Sequence, residues 1–344
     1  MAFMFIAAPM EITYSFIIPV FNRPDEVNEL LESLTLQKGA VPFEVVLVED
    51  GSTLKSDDIV AKFADKLNIS YFFKPNSGPG DSRNYGMERA KGNYFIILDS
   101  DCILPPQYIK TVHTTLQHSF IDCFGGPDAA HDSFTTVQKA INYAMTSVFT
   151  TGGIRGRKKA IGKFQPRSFN MGISKEVFTE VGGFGRIHPG EDPDLTIRIW
   201  NAGYETALVS DAYVYHKRRI DWYTFFIQVK KFGMVRPILN TWHPETAKIT
   251  YWFPTLFCFG FILAIIGFGF GVTILAKLYL LYFIVILVDA IRKTNSLKIG
   301  ACAVFATIIQ FLGYGYGFLK SNLILWSSSR SAEALFPSLF FKTK

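Results

Sequence analysis

Between residues 251 and 291 the chain carries only two charged side chains, Lys277 and Asp289, and residues 299–319 carry none. Apolar runs of that length match a hydrocarbon core of roughly 30 Å at a helical rise of about 1.5 Å per residue. Before residue 250 charged and apolar residues alternate as they do in a water-soluble domain. The 344 residues therefore divide into a soluble part large enough for one α/β domain and a membrane part that follows it.

The formal net charge of +6 is concentrated rather than spread. Lys217, Arg218, Arg219, Lys230, Lys231, Arg236 and Lys248 stand just ahead of the first apolar run, against only Asp221 and Glu245. A basic juxtamembrane segment is drawn to anionic headgroups and marks the cytosolic side, so membrane lipids rather than nucleic acid are the expected partners. The opening MAFMFIAAPM has no basic leader, long apolar centre or cleavage site and is not read as a signal peptide. The first domain is accordingly expected in the cytosol, against a bacterial inner membrane. Cys102, Cys123, Cys258 and Cys302 show no ligand or disulfide spacing and read as packing residues.

Within the soluble part, residues 14–20 (YSFIIPV) form a continuous β-branched and aromatic run, the mark of a buried parallel strand. Asn22, Pro24, Asp25 and Glu26 then suit the cap and first turn of a helix reaching about Gln37. A second strand over 43–48 (FEVVLV) stops at Glu49-Asp50-Gly51-Ser52. Helices near 57–67 and 81–90 alternate with strands near 69–73 and 94–98. This alternation predicts a mostly parallel, Rossmann-like α/β sheet with helices on both faces, whose ligands lie at the carboxyl ends of the strands. Asn22, Asp50 and the Asp99-Ser100-Asp101 loop all fall there.

Two carboxylates separated by one residue on a strand-end loop can share a divalent cation, although alone they also suit a strand terminus before Pro105-Pro106. Five ordered blocks decide between these readings: SFIIPVFNRPDEVNELLESL, FEVVLVEDGST, NSGPGDSRNYGMERAKGNYFIILDSD, RSFNMGISKEVFTEVGGF and GEDPDLTIRIWNAGY. Over nearly all of its first 220 residues the chain resembles family 2 glycosyltransferases of the GT-A fold. The resemblance implies a nucleoside-diphosphate-sugar donor, with Pro19 and Asn22 flanking the nucleotide pocket and Asp50 accepting a hydrogen bond from the base. Glu49 stands where many relatives have a second Asp. Gly80 and Arg83, in the glycine-containing turn that opens a helix, are implied to face the donor diphosphate, with Asn84 beside them, while Lys74 reads as a solvated surface lysine.

The same resemblance places Asp99 in the ribose or metal region and gives Asp101 and His216 as ligands of Mn²⁺ or Mg²⁺, a donor set suited to either. It implies that Asp192 is the general base, with Glu191 orienting the acceptor, and that Asn170 and Gly172 lie on the acceptor side. Local physics offers a plainer account of the 191–194 run: Pro193 at the first helical position with Asp192 as N-cap, and Asp194 paired with Arg198 at i,i+4.

The expected organisation is a catalytic domain over 1–220, an amphipathic interfacial segment over 221–250, about three transmembrane helices over 251–319, and a tail over 320–344. The turn between the first two spans is expected near Gly271, and the loop with Arg292, Lys293 and Lys298 in the cytosol. A third span over 299–319 leaves the tail outside, unless that span or the segment 323–341 is re-entrant or interfacial. The expected reaction is inverting, metal-assisted transfer of one sugar to a hydroxyl of a lipid-linked or other glycan acceptor. A polyprenyl-phosphate glycosyltransferase is the enzymatic alternative, and a catalytically silent nucleotide-sugar-binding scaffold the alternative from another class. A transporter would need more spans and more midplane polar residues than Gln310.

Overall fold

The computed structural model describes residues 11–129, 134–152, 164–216 and 221–341. The opening decapeptide and the basic residues 217–219 lie outside the described residues. The α/β part opens with β1 (Tyr14–Val20), α1 (Pro24–Thr35), β2 (Phe43–Asp50), α2 (Asp57–Ala61), β3 (Ile69–Lys74), α3 (Pro79–Arg89) and β4 (Tyr94–Leu98). It continues through β5 (Cys102–Ile103), α4 (Tyr108–His118), β6 (Cys123–Gly125), β7 (Asp128–Ala129), α5 (Thr136–Thr146) and α6 (Val148–Thr151). Then come β8 (Asn170–Ser174), α7 (Lys175–Val181), α8 (Glu191–Asn201), β9 (Thr206–Leu208) and β10 (Val214–His216).

Seven strands form one sheet in the order β3-β2-β1-β4-β8-β6-β9. The β1 pairs with β2 and β4 are parallel, as is β2 with β3, whereas β8 runs antiparallel to both its neighbours. Strands buried on both faces are mostly apolar throughout, and both faces are indeed covered, with the buried Ser15 hydroxyl donating to Glu44 at 2.6 Å. Phe16, Ile18 and Val20 pack with Leu30, Leu34, Tyr108 and Val112 of α1 and α4. Ile17, Val46 and Val48 pack on the other side with Met87, Val177, Leu195 and Ile199. A second sheet, in the order β5-β10-β7, sits at the carboxyl end of β4. It pairs His216 with Cys102 and so brings residues over a hundred positions apart beside one another.

Helix α9 (Trp222–Trp242) leads into α10 (Phe253–Gly269), α11 (Ile274–Thr294) and α12 (Leu297–Trp326), with α13 (Ala332–Leu335) in the tail. Three helical segments, 249–269, 274–294 and 297–326, are long and apolar enough to cross a membrane. Gly271 turns between the first two with φ +80°. The α9 helix does not separate polar from apolar residues onto two faces. Its first half, with Phe225 and Val229, packs on α5 and on Ala306 and Ile309 of α12. Its second half, with Val235, Ile238 and Leu239, packs on Ile187, Phe336 and Leu339. Lys230 and Arg236 lie over the rings of Tyr316 and Tyr251 instead of standing free on a solvated face.

The tail returns to the α/β part. Phe340 bridges Ile187, the His188 amide donates to the Leu339 carbonyl at 2.8 Å, and the Phe341 amide donates to the Arg186 carbonyl at 3.1 Å. The Phe341 ring lies over Gly78, where a side chain would collide with it, and 5.8 Å from the His188 ring.

Candidate active site

The carboxyl ends of β1, β2 and β4 hold the residues that the sequence singled out. Asn22 sits in the left-handed region at φ +54° and does not cap α1, whose N-cap is Arg23. Its side-chain oxygen instead accepts from the Thr53 and Leu54 amides at 2.8 and 2.9 Å, tying the β1 loop to the β2 loop. Pro19 is paired with Val48 at the end of β1, beside that junction.

Asp50 is buried and accepts from Lys74 Nζ at 2.6 Å and from the Ser77 and Gly78 amides at 2.9 Å each. It thereby shapes the 74–78 loop that leads into α3. Lys74, read from sequence as solvated, is buried, because Asp50 and Asp81 both neutralise it. Glu49 is buried too: it accepts from the Ser56 amide at 3.0 Å and the Tyr71 hydroxyl at 3.2 Å, a span that a shorter Asp would not reach in the same way.

Gly80 opens α3 where a Cβ would press on the Gly185 carbonyl and Phe184. Asn84 is directed to the same loop, bonding the Phe184 amide at 2.8 Å and carbonyl at 3.0 Å, and is spent there. Arg83 is buried one turn into α3. It donates to Asp99 at 2.8 Å and Glu191 at 3.3 Å, and it lies over the Phe184 ring. Burial opposes its charge, but Asp99, Glu191 and Asp192 together hold it more firmly protonated than an ordinary arginine. Its Nε has no hydrogen-bond partner among the described residues.

Asp101 and His216 come together as expected: Nε2 of His216 lies 3.2 Å from Asp101 Oδ1 and 3.9 Å from Asp99 Oδ2. The His216 ring stacks on Phe169 at 4.8 Å, which fixes its plane. Arg23 neutralises the other Asp101 oxygen at 2.7 Å. Ligand atoms of Asp101, Cys102 and His216 all lie within 4.8 Å of one another, while Cys102 is also a buried member of the hydrophobic core. Buried Asp128 has an oxygen 4.0 Å from His216 Nδ1. Carboxylate oxygens and an imidazole nitrogen converging in this way fit a hard or borderline divalent cation.

The 191–194 run departs from the simple capping account. Gly190 is the N-cap of α8, so Glu191, Asp192 and Asp194 all lie within its first turn. The Asp194–Arg198 pair forms at 3.0 Å. Glu191 meets His188 at 2.9 Å as well as Arg83. Its burial favours the neutral acid, but His188 and Arg83 outweigh that and hold its carboxyl below the ordinary range. Asp192 goes the other way: burial, then the Glu191 charge, push its carboxyl up, with Arg83 and Arg167 in partial opposition. One Asp192 oxygen is buried without a hydrogen-bond partner among the described residues. Adjacent carboxylates whose environments drive their pKa values apart are suited to different tasks.

Asn170 and Gly172 are not in this cleft. The Asn170 amide is spent on the Tyr108 hydroxyl at 2.6 Å and the Ala212 carbonyl at 2.8 Å. Gly172 lies in the sheet, where the Phe124 ring occupies the space of a side chain. The residues lining the cleft in their place are Arg167 and Ser168, just ahead of β8.

Arg83, Asp99, Asp192 and His216 line one wall of a cavity of about 1150 Å³. Its other wall is made by α9, by Phe253 and Pro254 of α10, and by Gln310, Phe311 and Tyr314 of α12. A sheet of this topology with a carboxylate-lined cleft at its strand ends has the architecture of a GT-A glycosyltransferase domain. Residues 15–182 match the family model described as Glycosyl transferase family 2, and the domain belongs to that family.

Among curated relatives, an uncharacterized glycosyltransferase of Haemophilus influenzae is 40% identical over 114 residues, 32% of this chain and 45% of its own length. The poly(ribitol-phosphate) beta-N-acetylglucosaminyltransferase TarS of Staphylococcus aureus is 36% identical over 100 residues, 28% of this chain and 18% of its own. The chain thus spans less than half the length of either. The solved mannosyltransferase PcManGT of Pyrobaculum calidifontis, in complex with GDP-Man and Mn²⁺, matches 94% of this chain and 78% of its own at TM-score 0.50 and 14% identity, a likeness of fold.

Proposed function

We propose that the protein transfers one sugar from a nucleoside-diphosphate-sugar to a hydroxyl of a lipid-linked saccharide, with inversion at the anomeric carbon. The observation that carries this reading is the shared cavity. Its catalytic wall holds Asp192, Arg83, Asp99 and His216, and its opposite wall belongs to α9 together with the start of α10 and the middle of α12. An acceptor tethered to a lipid can then reach the catalytic carboxylates without leaving the membrane. In this reading residues 1–220 are the catalytic domain, 221–250 connect it to the membrane, and the apolar helices hold it on the cytosolic face of a bacterial inner membrane.

The donor diphosphate lies between the α3 turn at Gly80 and Arg83 and the Asp99–Asp101 loop, with the base toward Asp50 and the Asn22 junction. The acceptor oxygen forms its bond to the anomeric carbon as the bond from that carbon to the diphosphate oxygen breaks. Asp192 takes the acceptor proton on its unpartnered oxygen, and its raised pKa brings the carboxylate nearer to the working pH, where a general base is most effective. Glu191, held ionised by His188 and Arg83, keeps Arg83 in place. Asp101 and His216 would hold Mn²⁺ or Mg²⁺, which supplies charge neutralisation for the departing diphosphate. The Mn²⁺ in the mannosyltransferase neighbour is consistent with this. A base poised in this way favours a hydroxyl acceptor over a phosphate, which is already ionised.

The test is donor turnover by the detergent-solubilised protein against UDP-, GDP- and dTDP-sugars with membrane lipid extract, in Mn²⁺, Mg²⁺ or chelator. Release of one nucleoside diphosphate that needs the cation and is lost in Asp192→Ala is the expected result. Donor binding by calorimetry with no turnover under any of these conditions would favour the silent scaffold.

A further inference from the structure

The three apolar helical segments differ in what covers them. Most of α10 and α11 is exposed: Phe259, Ile262, Leu263, Ile266, Leu278 and Leu281 all face outward. These two helices meet α12 over their near portions, through Phe253, Phe257 and Cys258 on one and Tyr282, Ile286 and Ala290 on the other. Beyond that they pack on each other, as Tyr279 does on Phe257 and Phe261.

The α12 helix is instead covered along its length by α5, by α9 and by the Ile187 cluster. At its start Ile299 and Ala303 pack with Ala140 and Tyr143 of α5. In its middle Gly313 and Gly317 let the backbone of α9 approach so closely that a Cβ on Gly317 would strike the Lys230 carbonyl. At its end Ile324 and Leu325 join the cluster of Ile187, Ile238 and Leu239. The far end of α9 is itself fixed to α8, because His243 Nε2 lies 2.9 Å from Asp194. A helix of 30 residues is about 45 Å long, so if it crossed roughly 30 Å of hydrocarbon one end would be out of reach of the domain. Both ends are in contact. Its exposed apolar residues, Phe305, Leu312, Tyr316, Leu323 and Trp326, fall on one stripe with the helical period.

We infer that the bilayer receives only the α10–α11 hairpin, that α12 lies along the membrane face of the catalytic domain with its aromatic stripe toward lipid, and that the tail stays on the catalytic side. This differs from a third span over 299–319, which puts the tail on the opposite side. It does not depend on which reaction the site performs.

The test uses the full chain in sealed vesicles of known orientation and a membrane-impermeant maleimide, read above the background of the four native cysteines. Lys66→Cys reports the catalytic side, Ser329→Cys the tail and Phe270→Cys the hairpin tip; all three positions are exposed. The expected result is that Ser329→Cys and Lys66→Cys label in the same vesicles and are protected together in vesicles of opposite orientation, while Phe270→Cys does not label with them. Labelling of Ser329→Cys only where Lys66→Cys is protected would restore the third span. Labelling of Phe270→Cys together with Lys66→Cys would remove the hairpin from the membrane.

Discussion

His243 Nε2 lies 2.9 Å from one oxygen of Asp194, whose other oxygen takes Arg198 Nε at 3.0 Å. His243 closes α9 and Asp194 stands in the first turn of α8, two residues from Asp192. The helix that carries the proposed base is therefore tied to the helix that lies on α12. Groups in one hydrogen-bonded network couple by about 0.5–3 kcal/mol. A cycle of Asp194→Asn, His243→Ala and the double variant, read by thermal unfolding, is expected to show coupling in that range. Strict additivity would mean that the two helices are held together elsewhere.

Turnover is expected to rise with pH through the pKa of Asp192, which burial and the Glu191 charge place above the ordinary carboxylate value. Only the ionised form can take a proton, so the acidic limb belongs to this group. Glu191→Gln removes the neighbouring negative charge and should move that limb to lower pH. Asp192→Asn should cost about 10²–10⁴ in kcat while donor binding persists. A limb that stays put in Glu191→Gln would assign it to another residue.

Arg83 is buried between Asp99 and Glu191. Removing one member of a buried charge cluster typically costs about 3–5 kcal/mol, because the partners are left uncompensated. Arg83→Met should therefore lower the unfolding temperature markedly as well as weaken donor binding. A variant of unchanged stability would show that water enters and solvates both carboxylates.

Asp101→Ala and His216→Ala should each raise the Mn²⁺ concentration needed for half-maximal turnover and leave the fold intact. Cys102→Ser distinguishes the thiol's part: its Sγ also bonds the Phe169 carbonyl at 3.4 Å. If Cys102→Ser leaves the Mn²⁺ requirement unchanged, the thiol is outside the ligand set.

Asn170→Ala is expected to act through stability rather than acceptor affinity, since it strands the buried Ala212 carbonyl and Tyr108 hydroxyl at about 1–3 kcal/mol for an unsatisfied group. A rise in acceptor KM with unchanged unfolding temperature would return Asn170 to the acceptor side.

The first half of the fold is written in local pattern. Strands β1 to β4 are mostly apolar runs that end at polar residues, so their ends fall within two residues of where the sequence puts them. Asp99, Asp101 and Asp192 were legible because they sit on those loops or open a helix. The contacts that set their chemistry were not: Arg23 reaches Asp101 across 78 residues, Arg83 reaches Glu191 across 108 and His243 reaches Asp194 across 49. Strands β5, β7 and β10 are two or three residues long, too short to show a period, yet they align His216 with the aspartates. Lys74 looked solvated because its partner Asp50 lies on another strand.

The Phe341 ring rests on Gly78, at the turn that opens α3, and Leu339 holds the backbone of His188. Gln310, Phe311 and Tyr314 of α12, which line the cleft, likewise leave the ribosome after the α10–α11 hairpin. A chain still being made has the aspartates and the sheet but lacks that lining. The lining of the cleft is therefore complete only after the hairpin has been synthesised.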